Sequence, residues 1–229
     1  MSVFAGIKLP KLVYETQSDY NGVIQVYQTG EKYRISVGGF TQSVCLNSSS
    51  AKTRVWGKIV DVLEEEEPSL ASVMVLGLGG GTTQHLISHR FPEALITSLE
   101  IDPKMVEVAK QFFGVGDIPN HTIIVDDACR VIVDPDKFDI NKGSFDAIVV
   151  DIFNGMTFPA LGNSGNFVGN LKKIVKQGGL IIFNRIYLED HQDDVNAFME
   201  LVEGFLADTK FLIVAGYTNS DNILIYGRS

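Results

Sequence analysis

Cysteine is nearly absent from this sequence. Its 229 residues hold two, Cys45 and Cys129. They lie far apart and match no metal-ligand spacing, so no metal is expected and a disulfide framework is excluded. A reducing cytoplasm is the expected compartment. Cations are also outnumbered: 19 Lys and Arg face 28 Asp and Glu, for a net charge of −9. Nucleic-acid binding needs clustered Lys and Arg, so no nucleic-acid partner is expected. No apolar run approaches the roughly 20 residues that cross a bilayer. The stretch Met1–Lys11 carries two lysines but no apolar core of a signal peptide. No membrane role is expected. What remains, 45% hydrophobic and 21% charged residues, is ordinary for a globular chain.

The chain divides into a β-rich start and an alternating remainder. Leu12–Tyr14, Gly22–Tyr27 and Tyr33–Val37 are short strand-forming runs, punctuated by Gly30 and Gly38-Gly39. They predict an antiparallel meander of two or three hairpins within residues 1–48. Val55, Ile59, Val62 and Leu63 follow helical spacing and predict one helix over 51–63. The acidic run Glu64–Glu67 then reads as a solvated linker. From Ser72 onward strands and helices alternate, which predicts an α/β fold: a Rossmann-like, doubly wound, mostly parallel sheet over residues 49–229. Phe167, Leu171, Ile174 and Val175 predict a helix ending at Gly178-Gly179, with the next strand at Leu180–Phe183.

Four strand ends carry ligand-type residues. Gly77-Leu78-Gly79-Gly80-Gly81 joins a strand to a helix, where glycine lets a ligand approach the backbone and the helix start offers unpaired N–H groups. Glu100 ends the next strand, 19 residues after Gly81, where an acid is placed to accept from a ribose diol. Asp102-Pro103 reads as a helix cap instead. Asp126-Asp127 ends the third strand; an adenine contact and plain turn chemistry fit it equally. Asp151 ends the fourth, before a long segment, Ile152–Gly165, that reads as a loop over a site. Together they indicate nucleoside binding at one sheet edge. His85 and His89 lack the Glu of a zinc-protease helix and read as surface residues.

These residues resemble the class I S-adenosylmethionine-dependent methyltransferase fold and, more narrowly, the spermidine synthases (aminopropyltransferases). Three segments carry the resemblance: Val75–Gly81, Leu99–Asp102 and Phe145–Asp151. Ser18–Asn21 and Gly39–Gln42 sit where that family has its small β-domain. The resemblance implies that Gly77, Gly79 and Gly81 approach the nucleoside and that Glu100 holds its ribose. It gives Asp127 to adenine, Gln42 and Asn21 to the cofactor from the β-domain, and Asp151 to the reacting amine as the catalytic residue. It also implies S-adenosylmethionine or its decarboxylated form as co-substrate, a small-molecule amine acceptor, and a homodimer.

The departures fall on the polyamine half of the pocket. Gly80 replaces the family's loop acid, and Asn154 replaces the second acid of its Asp-x-x-Asp motif, in the substrate-binding position. Asn184-Arg185 replaces an acid after the fifth strand, where Arg185 is expected to oppose a cation. The first helix lacks its tyrosine. The expected function is therefore alkyl transfer from such a donor to an amine, by an enzyme other than a standard putrescine aminopropyltransferase. Methyl transfer from intact S-adenosylmethionine, a non-catalytic nucleoside-binding protein and a nicotinamide-dependent oxidoreductase are the alternatives.

Overall fold

The computed structural model describes residues 8–153, 165–187, 192–216 and 221–229. Strands β1 (Lys11–Ser18), β2 (Gly22–Thr29), β3 (Lys32–Val37) and β4 (Phe40–Val44) form an antiparallel sheet in sequential order. Alternation turns Ile24, Val26, Ile35 and Val37 to one face, all buried. That face packs on Met105, Val108 and Phe113 of helix α4 (Pro103–Phe113).

The predicted helix over 51–63 is two helices, α1 (Ser49–Thr53) and α2 (Val55–Glu66). Arg54 between them is extended, at φ −103° and ψ −172°. Gly57 explains how closely they meet: a Cβ there would lie 2.0 Å from the Lys52 carbonyl oxygen. The acidic run is not a linker. Glu64–Glu66 is the last turn of α2, and Glu64 pairs with Arg90. Lys210 Nζ reaches Glu66 at 2.6 Å, and Arg228 Nη1 reaches Glu67 at 2.7 Å. These contacts tie the acidic run to β10 and β11 below.

The second sheet has seven strands, and among the described residues five α-helices separate them. In chain order come β5 (Ser72–Leu76), α3 (Thr82–Arg90), β6 (Leu95–Glu100), α4, β7 (His121–Val125) and α5 (Ala128–Val133). Then follow β8 (Phe145–Val150), α6 (Gly165–Ile174), β9 (Val175–Tyr187), α7 (Gln192–Glu203), β10 (Ala207–Val214) and β11 (Asp221–Arg228). Their spatial order is β10-β11-β9-β8-β5-β6-β7. The pairs from β9 to β7 are parallel, while β11 runs antiparallel between β9 and β10. Val175 does not extend α6. It opens β9, and the strand runs through Gly178-Gly179.

Both sheet faces are covered. Val73, Val75, Val149 and Ile182 face one apolar cluster with α2 and α3, and Met74, Leu76, Ile148 and Phe183 face another with α6 and α7. Strands buried on both sides explain the nearly continuous runs Val73–Leu76 and Ala147–Val150. Each such side chain contributes about 1.5–3 kcal/mol on burial. The switch in strand order between β5 and β8 opens a crevice at their carboxyl ends. Among the described residues no helix is long and apolar enough to cross a membrane.

Candidate active site

The glycine loop leaves β5 and enters α3 under the N-terminal sheet. Gly77 has φ +97°, and a Cβ on it would stand 2.1 Å from the Asp151 carbonyl oxygen. Only glycine fits there, so the end of β8 packs directly on the loop. Gly79 and Gly80 lie under Ser43, whose Oγ accepts from the Gly80 N–H at 2.8 Å. Gly81 starts α3 and faces Val115. The glycines are thus also what lets β4, β8 and the loop come together.

Glu100 sits beneath this loop, 9% exposed. Its Oε2 accepts from the Leu78 N–H at 3.0 Å and its Oε1 from the Asp102 N–H at 3.0 Å. Burial pushes its carboxyl up, against these backbone bonds. Asp102 is the cap the sequence predicts, accepting from the Lys104 N–H at 2.8 Å. It also does something the sequence does not announce. Its Oδ2 accepts from Ser18 Oγ at 2.5 Å and from Asn21 Nδ2 at 2.5 Å. One carboxylate therefore caps α4 and fastens the β1–β2 turn beside Glu100.

Asp127 caps α5 through the Cys129 N–H at 2.7 Å, and Asp126 pairs with Arg130. Both also line the cleft. Asp151 lies at the other end. Its Oδ1 accepts from Asn184 Nδ2 at 2.7 Å. Desolvation raises its pKa to about 6, against the Asn184 hydrogen bond. Arg185 does not face the cleft, contrary to expectation. The period-2 alternation of β9 turns it to the opposite side, where it pairs with Asp194 and stacks on Phe198 at 4.6 Å. His85 is half-buried rather than a surface residue, bonded through Nε2 to the Phe113 carbonyl at 2.8 Å.

A cleft of about 1290 Å³ joins these parts. It is lined by Asn21 and Gln42 from the N-terminal sheet, by Gly77 and Gly79, and by Glu100, Asp127 and Asp151 from the strand ends. Gly81 is not among its lining residues, and Asn154 lies outside the described residues. Sequence reasoning missed Arg54, Trp56 and Asn222, which also line it. Their signals are weak: Arg54 interrupts a helical pattern, and Asn222 begins an apolar strand. The cleft thus has carboxylates on both sides of a backbone cradle.

Comparison with known proteins gives the family. A probable polyamine aminopropyl transferase of Bifidobacterium longum is 27% identical over 192 residues, covering 81% of this chain and 40% of that protein. An eEF1A lysine and N-terminal methyltransferase homolog of Drosophila pseudoobscura is 32% identical over 120 residues, 50% of this chain and 17% of that one. The chain thus spans less than half the length of these curated relatives. The crystal structure of a probable spermidine synthase from Corynebacterium glutamicum superposes with a TM-score of 0.76 at 18% identity, covering 95% of this chain and 80% of that one. The model of the spermine/spermidine synthase domain matches residues 53–227. With most of the chain inside that match, and with the class I methyltransferase-like sheet beneath it, the protein belongs to the spermine/spermidine synthase domain family.

Proposed function

We propose that the protein alkylates an amine with an S-adenosylmethionine-type donor, decarboxylated or intact, across the cleft between Glu100 and Asp151. The carrying observation is the pairing of a buried carboxylate under a glycine loop with a second carboxylate, of pKa about 6, on the other side of that loop in one cavity. Glu100 holds the ribose hydroxyls, and the backbone at Gly77 and Gly79 passes the donor's tail toward Asp151. Asp127 faces the adenine, and Asn21 and Gln42 close the site from residues 1–48, which form a domain distinct from 49–229.

The chemistry needs few parts. An ammonium acceptor gives its proton to Asp151, and the freed lone pair attacks the carbon bonded to the sulfonium. The new N–C bond forms as the C–S bond breaks, and sulfur leaves with the electron pair as a neutral thioether. Asp151, ionised above pH 6, is a proton acceptor matched to neutral solution. Alignment of the two reactants supplies much of the remaining rate.

The acceptor end favours something other than a linear diamine. Asp151 is bonded there to the amide of Asn184, which is bonded in turn to Asn222, and Trp56 and Arg54 line the same cleft. A dication would meet one carboxylate there, and amides in place of a second. Transfer of methyl from the intact donor is a second reading, supported by Gly80: its surroundings hold no room for an acid that would repel the donor's own carboxylate. The named activities of relatives include both kinds of transfer. The scarcity of cysteine supports a cytoplasmic enzyme, and the family resemblance supports a homodimer.

Calorimetric titration with intact and decarboxylated S-adenosylmethionine, followed by turnover against amines, tests this reading. Tighter binding of the decarboxylated donor supports aminopropyl transfer, and tighter binding of the intact donor supports methyl transfer. Binding without turnover on any amine leaves a nucleoside-binding protein, and no binding of either donor overturns the reading.

A further inference from the structure

We propose that Asn222 is a positioning residue: it fixes the Asn184 amide with its Nδ2 toward Asp151, so that one Asp151 oxygen is held and the other is left for the acceptor's proton. The proposal rests on the function given above for Asp151.

Three strands build the arrangement. Val150 pairs with Phe183 in the β8–β9 register, so the next residues, Asp151 and Asn184, stand level. In the β9–β11 register Asn222 pairs with Ile186 and Leu224 with Asn184. Asn222 and Asn184 are therefore diagonal neighbours on one sheet face, within reach of each other. Asn222 Nδ2 donates to Asn184 Oδ1 at 2.9 Å, and Asn184 Nδ2 donates to Asp151 Oδ1 at 2.7 Å.

The polarity of this chain follows from what each group offers. A carboxylate only accepts, whereas an amide has one donating and one accepting end. An ionised Asp151 thus needs the donating end of Asn184, and a donor from Asn222 secures that orientation. Asn184 is 2% exposed, so water does not substitute for the missing partner. The charged groups on the surrounding elements are engaged elsewhere. Glu100 accepts from the loop, Arg185 pairs with Asp194, Asp221 accepts from the Gly216 N–H, and Arg54 donates to the Ala215 carbonyl.

Asn222→Asp reverses the logic. A carboxylate at 222 draws the Asn184 Nδ2 to itself and turns Oδ1 toward Asp151, which then must hold its proton. A carbon NMR titration of the Asp151 carboxyl, needing no substrate, reads this directly. The expected result is a midpoint raised by about one pH unit or more. The new charge alone also raises the midpoint, so the same substitution is made in an Asn184→Leu background, where only that through-space effect remains. The rise should be clearly smaller there. Equal rises in both backgrounds overturn the proposal.

Should Asn222→Asp fail to fold, Asn222→Leu carries the test. Without the donor, Asn184 is no longer held in one orientation, so the midpoint should rise and kcat should fall while donor affinity stays constant. An unchanged midpoint overturns the proposal. If the relay behaves as described but no amine is turned over, only the functional reading fails.

Discussion

Gly80 and Ser43 are in direct contact. The Gly80 N–H donates to Ser43 Oγ at 2.8 Å, and a Cβ on Gly80 would stand 2.9 Å from the Ser43 Cβ. Phe113 and Ile35 close the remaining sides, at 3.1 and 3.2 Å. The N-terminal sheet thus rests on the position where the resemblance expects an acid.

Gly80→Asp is accordingly expected to destabilise the fold rather than supply a binding group. Overpacking of this kind costs about 1–3 kcal/mol. Thermal denaturation should show Tm falling for Gly80→Ala as well, and more for Asp.

Asp151→Asn should abolish transfer and leave donor binding within a few-fold of wild type, because the amide keeps the shape but accepts no proton. In the wild type the rate should climb with pH through about 6, as Asp151 ionises. Stability moves the other way. The folded pKa lies above the unfolded value of about 3.9, so the folded state holds the extra proton and loses stability as pH rises from about 4 to 6. Asp151→Asn should therefore be more stable than wild type at pH 7.5, by about 3 kcal/mol, and equal to it at pH 3.5. Denaturant titrations at both pH values check this.

Asp146 behaves oppositely. It is the second residue of β8, and its carboxylate accepts from the Ala71 and Ser72 N–H groups at 3.0 and 2.8 Å and pairs with Lys176. Burial raises its pKa, but these bonds outweigh burial and hold it below the usual range. Its stabilisation is present above the unfolded pKa and is lost as pH falls through the depressed folded value. Asp146→Asn should cost about 1–2 kcal/mol at pH 7, and the difference from wild type should vanish in strong acid.

Asp102→Ala removes a helix cap and two bonds to the β1–β2 turn at once. Loss of the cap alone costs about 1 kcal/mol. Limited proteolysis should then cut within residues 8–46 faster than in wild type, while Asp102→Asn, which keeps a capping oxygen, should be milder. Equal cleavage rates in Asp102→Ala and wild type would show that the turn is held by other contacts.

Much of this was legible in the sequence because it is local. Asp102-Pro103 announces a cap, and the glycine loop, Glu100 and Asp151 are each placed by the strand they end. Arg185 was misplaced although the signal was present: if Asn184 faces the cleft, its neighbour in a strand cannot. The acidic run was misread for a different reason. The partners of Glu64, Glu66 and Glu67 are Arg90, Lys210 and Arg228, brought near only by the finished sheet. Val175 fits the α6 pattern yet opens β9, because apolar spacing cannot mark where a buried helix becomes a buried strand. Asn222 is marked only by its place at the start of an apolar strand, since its role exists only once β11 lies beside β9.

That last strand has a consequence for folding. β11 enters between two strands made before it, β9 and β10, and bonds both. Until it arrives, β9 and β10 each present a bare row of backbone donors and acceptors, and Phe211 and Ile213 of β10 are 59% and 52% exposed even in the finished protein. Such edges template pairing with other chains. A chain interrupted before Asp221 would therefore lose Asn222 and gain two unpaired strand edges in the same event, coupling loss of the site to a tendency to aggregate.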